Sequence, residues 1–424
     1  MKAQRGFVAL LMMVLVAVGV FGAMAAWVAS EPPPSKQAIN RVVLGQAKEA
    51  LLTYVVETAL SGKNTRLPCP NITGDGKADV DPIPGGTAKP CGLTGNTQLG
   101  LLPWNALSLP PLRDAYGGCL WYAVDGQFKN APASEATPGV NADTDGRITI
   151  KDEAGNTLAD KVVAVVFARS AQTGLQGRSA SASGAPPCTT TPSGDAAQDA
   201  TGYLGSSNAA PATGTVTSID LFNATQLAPD KVSFTHQLIW ITADEFAAVA
   251  MRVNAAPLAA AFNTAVQASM STTNGRLPFA AAAPGGTCQY GLYRGFLPVS
   301  CRYPDPVSGP LSFTLNAPVL QSDKWHELTF YAVAPSCAFD KPGCLPDAAL
   351  VPSKGLVKGG LLARGRKLSG QDCGASTGSV ATQPLKCIEA NNLAFDPRNP
   401  GWQSKMLVEP DPALPSNDIL KVLP

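Results

Sequence analysis

From Phe7 to Val28 the chain carries no ionisable side chain. Wound as a helix at about 1.5 Å per residue, such a run reaches about 30 Å, the thickness of a bilayer's hydrocarbon core. The pattern predicts a membrane helix over 7–30, with Leu11, Val14, Val18 and Phe21 available to pack inside the membrane. Lys2 and Arg5 precede it and Glu31 is the first charge after it, so the positive-inside bias predicts a cytoplasmic N-terminus and a periplasmic or external remainder. A secretory signal cut at Ala23-Met24-Ala25 and an uncut anchor are competing readings. Pro32, Pro33 and Pro34 then form a stiff spacer over 31–34.

Beyond the spacer the apolar period changes. Ile39, Val42, Val43, Ala47, Ala50, Leu51, Tyr54 and Val55 recur at helical spacing behind Ser35, a capping residue. A second helix is predicted from Thr242, which with Glu245 spells a capping box, and carries Phe246, Val249, Val253, Ala261, Phe262, Ala265 and Val266, with Pro257 as a kink. Apolar runs at Trp121–Val124, Lys161–Phe167 and Phe234–Ile241 read as strands, and Arg147–Lys151 pairs with Lys161–Phe167 as a hairpin around Gly155-Asn156. Residues 179–215, rich in Ser, Ala, Gly, Thr and Pro, read as an exposed loop.

The landmarks repeat. Arg66-Leu67-Pro68 followed by Trp121-Tyr122-Ala123-Val124 is echoed by Arg276-Leu277-Pro278 followed by Phe330-Tyr331-Ala332-Val333, at a spacing that differs by one position. Leu101-Leu102-Pro103 is echoed by Phe296-Leu297-Pro298, and each Arg-Leu-Pro follows an amphipathic helix. This predicts an α+β chain with a duplicated module over 35–241 and 242–424, each a helix packed on an antiparallel sheet behind an N-terminal transmembrane helix.

Composition narrows the function. At 424 residues and 45% hydrophobic content the chain can build substantial cores, and a net charge of +1 gives no electrostatic case for nucleic acid. The 40 Gly and 37 Pro favour turns over a helical bundle. The cysteines divide evenly, Cys69, Cys91, Cys119 and Cys188 before residue 242, and Cys288, Cys301, Cys337, Cys344, Cys373 and Cys387 after it. Four and six cysteines allow 3 and 15 connectivities. Nearest-neighbour pairing, 69 with 91, 119 with 188, 288 with 301, 337 with 344 and 373 with 387, is the simplest arrangement in an oxidising compartment.

Candidate chemistry is sparse. Asn141, Asp143, Asp145 and Asp152, with Gly146, fall at the positions of a calcium loop, although Asp152 stands where a bidentate Glu is usual. The turn at Asp75, Asp79 and Asp81 is a second weak calcium candidate. With His236 and His326 the only histidines, a zinc site is not expected; Trp325-His326-Glu327 is read as structural, and no cofactor and no enzymatic activity are expected.

Arg5-Gly6-Phe7 at the head of the apolar run resembles the cleavage site of type IV prepilins and type II secretion pseudopilins. The series Arg66-Leu67-Pro68-Cys69-Pro70 with Gly74-Asp75-Gly76, Leu101-Leu102-Pro103-Trp104, Asp114-Ala115-Tyr116-Gly117-Gly118 and Trp121-Tyr122-Ala123-Val124 resembles the periplasmic region of proteobacterial pilin-like proteins. The resemblance implies a leader over 1–6, cut after Gly6 by a prepilin peptidase that methylates Phe7. It also implies a single pass in the inner membrane, pilin-like modules in the periplasm, and other pilin or pseudopilin subunits as partners. Leu11 stands where most members carry a glutamate, which resembles the minor subunits. The expected function is a minor pilin or pseudopilin-like component of a type IV pilus or type II secretion machine. The alternative is an adhesin-like binding protein that forms no filament.

Overall fold

The computed structural model describes residues 35–61, 63, 65–71, 75–78, 97–130, 140–168, 204, 219–222, 236–273, 275–305, 309–317, 323–342, 344, 346, 351, 354–364, 366, 376–377, 380–381 and 419–423. The elements are α1 (Lys36–Leu60), β1 (Gln98–Leu101), β2 (Trp121–Val124), β3 (Ile148–Lys151), β4 (Thr157–Ala168), β5 (Ile219–Phe222), β6 (Gln237–Thr242) and α2 (Ala243–Thr273). After α2 come β7 (Arg294–Phe296), β8 (Ser300–Asp305), β9 (Gly309–Thr314), β10 (Thr329–Val333), β11 (Gly359–Ala363), β12 (Ser376–Thr377), β13 (Val380–Ala381) and β14 (Ile419–Leu423).

Local chemistry starts both helices where the sequence places them. Ser35 Oγ accepts the Ala38 amide at 3.2 Å, satisfying one of the donors that a helix start leaves open. At α2, Thr242 Oγ1 accepts the Glu245 amide at 3.2 Å while Glu245 Oε2 accepts the Thr242 amide at 3.0 Å, a reciprocal capping box. In α1, Leu44, Ala47, Leu51 and Val55 are fully or almost fully buried, one stripe at three- and four-residue spacing, whereas Val42 is exposed.

Two sheets carry the rest. The first has the order β1-β2-β4-β3-β5, with β6 also paired to β4; the second has the order β14-β11-β10-β7. Every residue of β2 is buried because both faces of the first sheet are covered. Tyr122 and Val124 face the helices, and Trp121 and Ala123 face a smaller cluster with Ile150, Phe167, Leu204 and Leu221. Paired ribbons β8–β9 and β12–β13 complete the described strands.

The same closure occurs in both halves. The Leu67 amide donates to the Phe128 carbonyl at 2.8 Å, and the Leu277 amide to the Cys337 carbonyl at 2.7 Å. Tyr122 donates its hydroxyl to the Pro68 carbonyl at 3.1 Å, and Tyr331 donates to that of Pro278 at 2.9 Å. Tyr122 lies opposite Gly100 and Val166; Tyr331 lies opposite Gly295 and Leu361. The strand path β1-β2-β4-β6 thus matches β7-β10-β11-β14 residue by residue.

The expected architecture needs correction in three respects. The described residues hold two α-helices, neither long and apolar enough to cross a membrane, so the transmembrane helix and the single-pass inner-membrane location are not supported. The two described helices, α1 and α2, spend their apolar stripes on the protein core, and Lys48 of one is paired with Glu245 of the other. The expected span over 7–30 lies outside the described residues. Second, the first sheet is mixed, because β5 runs parallel to β3 instead of antiparallel. Third, the helices do not each serve a separate module. They touch one another within one core, where Phe128 meets Phe246 edge-on at 5.0 Å while Phe262, on the same helix, packs on Tyr331 at 5.0 Å.

Disulfides join Cys288 to Cys301 and Cys337 to Cys344, with Cα atoms 4.9 and 3.9 Å apart. Cys69 and Cys119 are also disulfide-bonded. The chain is therefore suited to an oxidising compartment. Cys91, Cys188, Cys373 and Cys387 lie outside the described residues.

Candidate functional site

The densest polar chemistry lies where the halves meet. Arg66, one residue before the Leu67 bridge, turns away from its own half and binds Asp323 of the other. Arg66 Nη2 donates to Oδ1 at 2.7 Å and Nη1 to Oδ2 at 3.0 Å, a bidentate fork with both side chains almost fully buried. Arg66 Nη1 also donates to the Thr65 carbonyl at 2.9 Å. Thr65 and Asn254 of α2 share a buried hydrogen bond at 2.9 Å.

Residues 140–145 form the second strip of this seam. The Asn141 side-chain amide donates to the Asp323 carbonyl at 2.9 Å, and the Val140 amide to Asp323 Oδ1 at 3.3 Å. Arg364 binds Asp143, and Arg366 binds both Asp145 and Asp244. Arg366 Nη1 further donates to the Ala142 and Thr144 carbonyls at 3.1 and 2.9 Å. A guanidinium presents its donors in a fixed planar fork, so each arginine fixes both distance and orientation across the seam.

This explains the calcium-like spacing. Asn141 Oδ1 accepts the Asp143 amide and thereby shapes the turn, while Asp143 and Asp145 hold arginines. Asp152 lies apart, where Oδ1 accepts the amides of Ala154 and Asn156 and Oδ2 accepts the Asn156 side-chain amide. Those hydrogen bonds, that of the Asn156 side chain first, lower its pKa. Gly146 is explained by close approach: a Cβ there would lie 2.3 Å from the Val162 carbonyl oxygen. Asp75 accepts the Lys77 amide and pairs with its side chain, while Asp79 and Asp81 lie outside the described residues. Among the described residues no group of three or more His, Cys, Asp or Glu side chains is placed to hold a metal ion.

Other groups named from the sequence are not gathered at this seam into a catalytic set. His236 is buried at the edge of β6, and His326 is buried in the short 3₁₀ turn Trp325–Leu328. Gly6, Phe7, Leu11, Val14, Val18 and Phe21 lie outside the described residues. One buried titratable group was missed in sequence: Lys129, beside the Leu67 bridge and 1% exposed. Burial lowers its pKa to about 8, against the opposing attraction of Asp125; Arg147 nearby lowers it further. Burial also pushes the Tyr122 and Tyr331 hydroxyls well above their ordinary value. The seam left no signal in the sequence reading: Arg66 was read within the Arg-Leu-Pro motif, and Arg364 and Arg366 belong to no motif there. Comparison with protein-family models, curated proteins and solved structures gave no match.

Proposed function

We propose that this chain is a structural, non-catalytic protein of an oxidising compartment, a minor pilin or pseudopilin-like component of a type IV pilus or type II secretion machine. The observation that carries this reading is the Arg-Leu-Pro to Tyr-Ala-Val closure, present with the same hydrogen bonds in both halves. The motifs that resemble pilin-like proteins are thus the ones that build each half. The bidentate seam supports a role in assembly: a subunit that transmits load or holds a partner benefits from two modules fixed as one body. Among the described residues the seam is built of arginine–carboxylate pairs that span the two halves.

In this reading a prepilin peptidase cuts after Gly6, and other pilin or pseudopilin subunits are the partners. Mass spectrometry of the mature protein tests it. A methylated Phe7 N-terminus is expected; an intact Met1, or a start near Ala26, would overturn the prepilin reading. Deletion of the gene should abolish piliation or type II secretion, and restoration by the full chain should recover it.

A further inference from the structure

Helix α1 carries two apolar stripes, and the core takes up one of them. Leu44, Ala47, Leu51 and Val55 are buried. On another side Val42, Gly45, Leu52, Val56 and Leu60 recur, with Glu49 among them, at spacings of three and four, so they too share one face of the helix. Val42 is 60% exposed and Leu60 71%, while Gly45, Leu52 and Val56 are half-buried, Leu52 resting on the edge of the core.

Gly45 marks the narrowest point of this second stripe. A glycine inside a helix is unfavourable, because it gives up more backbone freedom on folding than any other residue. The fold around it does not call for one: Gly45 lies well inside α1, and a Cβ built there would meet no atom within 4 Å. A bare stretch of backbone lets a second helix approach closely, since the distance between helix axes is set by the side chains at the contact.

Charge selects the occupant. Arg41 and Glu49 are exposed, four positions before and four positions after Gly45. No opposite charge lies three or four positions from either, so neither is neutralised along its own helix, and among the described residues neither forms an ion pair. When α1 is turned about a two-fold axis at Gly45, an antiparallel copy sets Arg41 against Glu49 of the second copy, and Glu49 against its Arg41. The same operation sets exposed Ala38, seven positions before Gly45, against Leu52, seven positions after it. A face that complements itself in this way is the requirement for an isologous contact.

We infer that the outer face of α1 is an interface with a second copy of this chain, an antiparallel helix pair that crosses at Gly45 and carries two Arg41–Glu49 ion pairs. A lipid surface is the wrong occupant, because Glu49 stands inside the apolar stripe and would lose its water without gaining a partner. The contact closes on itself, unlike the head-to-tail contacts that propagate a filament, so it stands apart from the pilin-like reading and each can fail without the other.

Sedimentation equilibrium of the intact chain tests the pairing. A reversible dimer is expected, with Kd on the order of 10 µM, as suits a small contact. Arg41→Glu or Glu49→Arg alone brings like charges together twice and should weaken the dimer about tenfold or more. The two changes combined should restore it, which two residues placed eight positions apart on one helix do only through a two-fold partner. Gly45→Leu should abolish the dimer while the melting temperature of the monomer holds or rises, because leucine is the better helix former and the space is open. A chain that stays monomeric at about 100 µM overturns the inference and leaves the face to another occupant, such as the run Phe7–Val28 or a different protein. A dimer that survives Gly45→Leu, or a combined charge reversal that restores nothing, overturns it equally.

Discussion

Asp323 stands in the second half where Asp114 stands in the first, six positions before the residue that bonds to Leu297 or Leu102 respectively, yet the two carboxylates do different work. Asp114 Oδ1 accepts the amides of Tyr116 and Gly118 and closes its own turn. Asp323 instead receives both arms of Arg66 from the other half. Arg276, the counterpart of Arg66, stays within its half and donates to the carbonyls of Phe339 and Lys341. A shared local unit has therefore diverged at one charged pair to form a joint.

Removing one partner of that joint leaves a buried charge alone. Arg66→Ala or Asp323→Ala should destabilise the protein by about 3–5 kcal/mol, whereas the double change Arg66→Met with Asp323→Leu should recover most of the loss. Urea denaturation of the single and double variants measures this. Single variants within 1 kcal/mol of the parent, roughly the worth of an exposed pair, would show that the seam is solvated.

The two tyrosine closures should contribute equally. Tyr122→Phe and Tyr331→Phe each remove one buried hydrogen bond to a proline carbonyl, at a cost of about 1 kcal/mol or somewhat more. Matching shifts in the denaturation midpoint are expected, and a loss confined to one variant would break the equivalence of the halves.

Lys129 makes stability depend on pH. Its folded pKa of about 8 lies below its ordinary 10.5, so between these values the unfolded chain binds more protons and stability rises with pH. The contribution is complete above 10.5 and is lost as pH falls through 8. Lys129→Met should flatten the rise between pH 8 and 9.5, a range that precedes tyrosine ionisation. Parallel curves for parent and variant would refute the assignment.

The Cys288–Cys301 bridge closes a short loop and should stabilise by about 2–4 kcal/mol. The double change Cys288→Ser, Cys301→Ser should lower the melting temperature, and reduction of that variant should lower it less than reduction of the parent.

Gly146→Ala should destabilise by about 1–3 kcal/mol, because the added methyl meets the Val162 carbonyl and backbone must shift. A neutral substitution, read from the melting temperature, would mean that β4 yields beside Val162, where its pairing with β6 shifts register.

What was legible in sequence was local. Ser35 and Thr242–Glu245 marked both helix starts through capping chemistry, and Cys288–Cys301 and Cys337–Cys344 were nearest neighbours. Arg66 was read only as part of a motif, because its partner Asp323 is 257 positions away and nothing along the chain links them. Asp143 and Asp145 stand at calcium-loop spacing, and oxygen-bearing side chains at that spacing equally serve arginines brought in from residues 364 and 366. The parallel strand β5 carries the short run Ile219-Asp220-Leu221-Phe222, too brief to reveal its direction.

Arg66 is spent across the joint while Arg276 is spent on the carbonyls of its own half, so equivalent arginines in the two copies serve different ends: one couples the halves, and the other braces a loop inside its own.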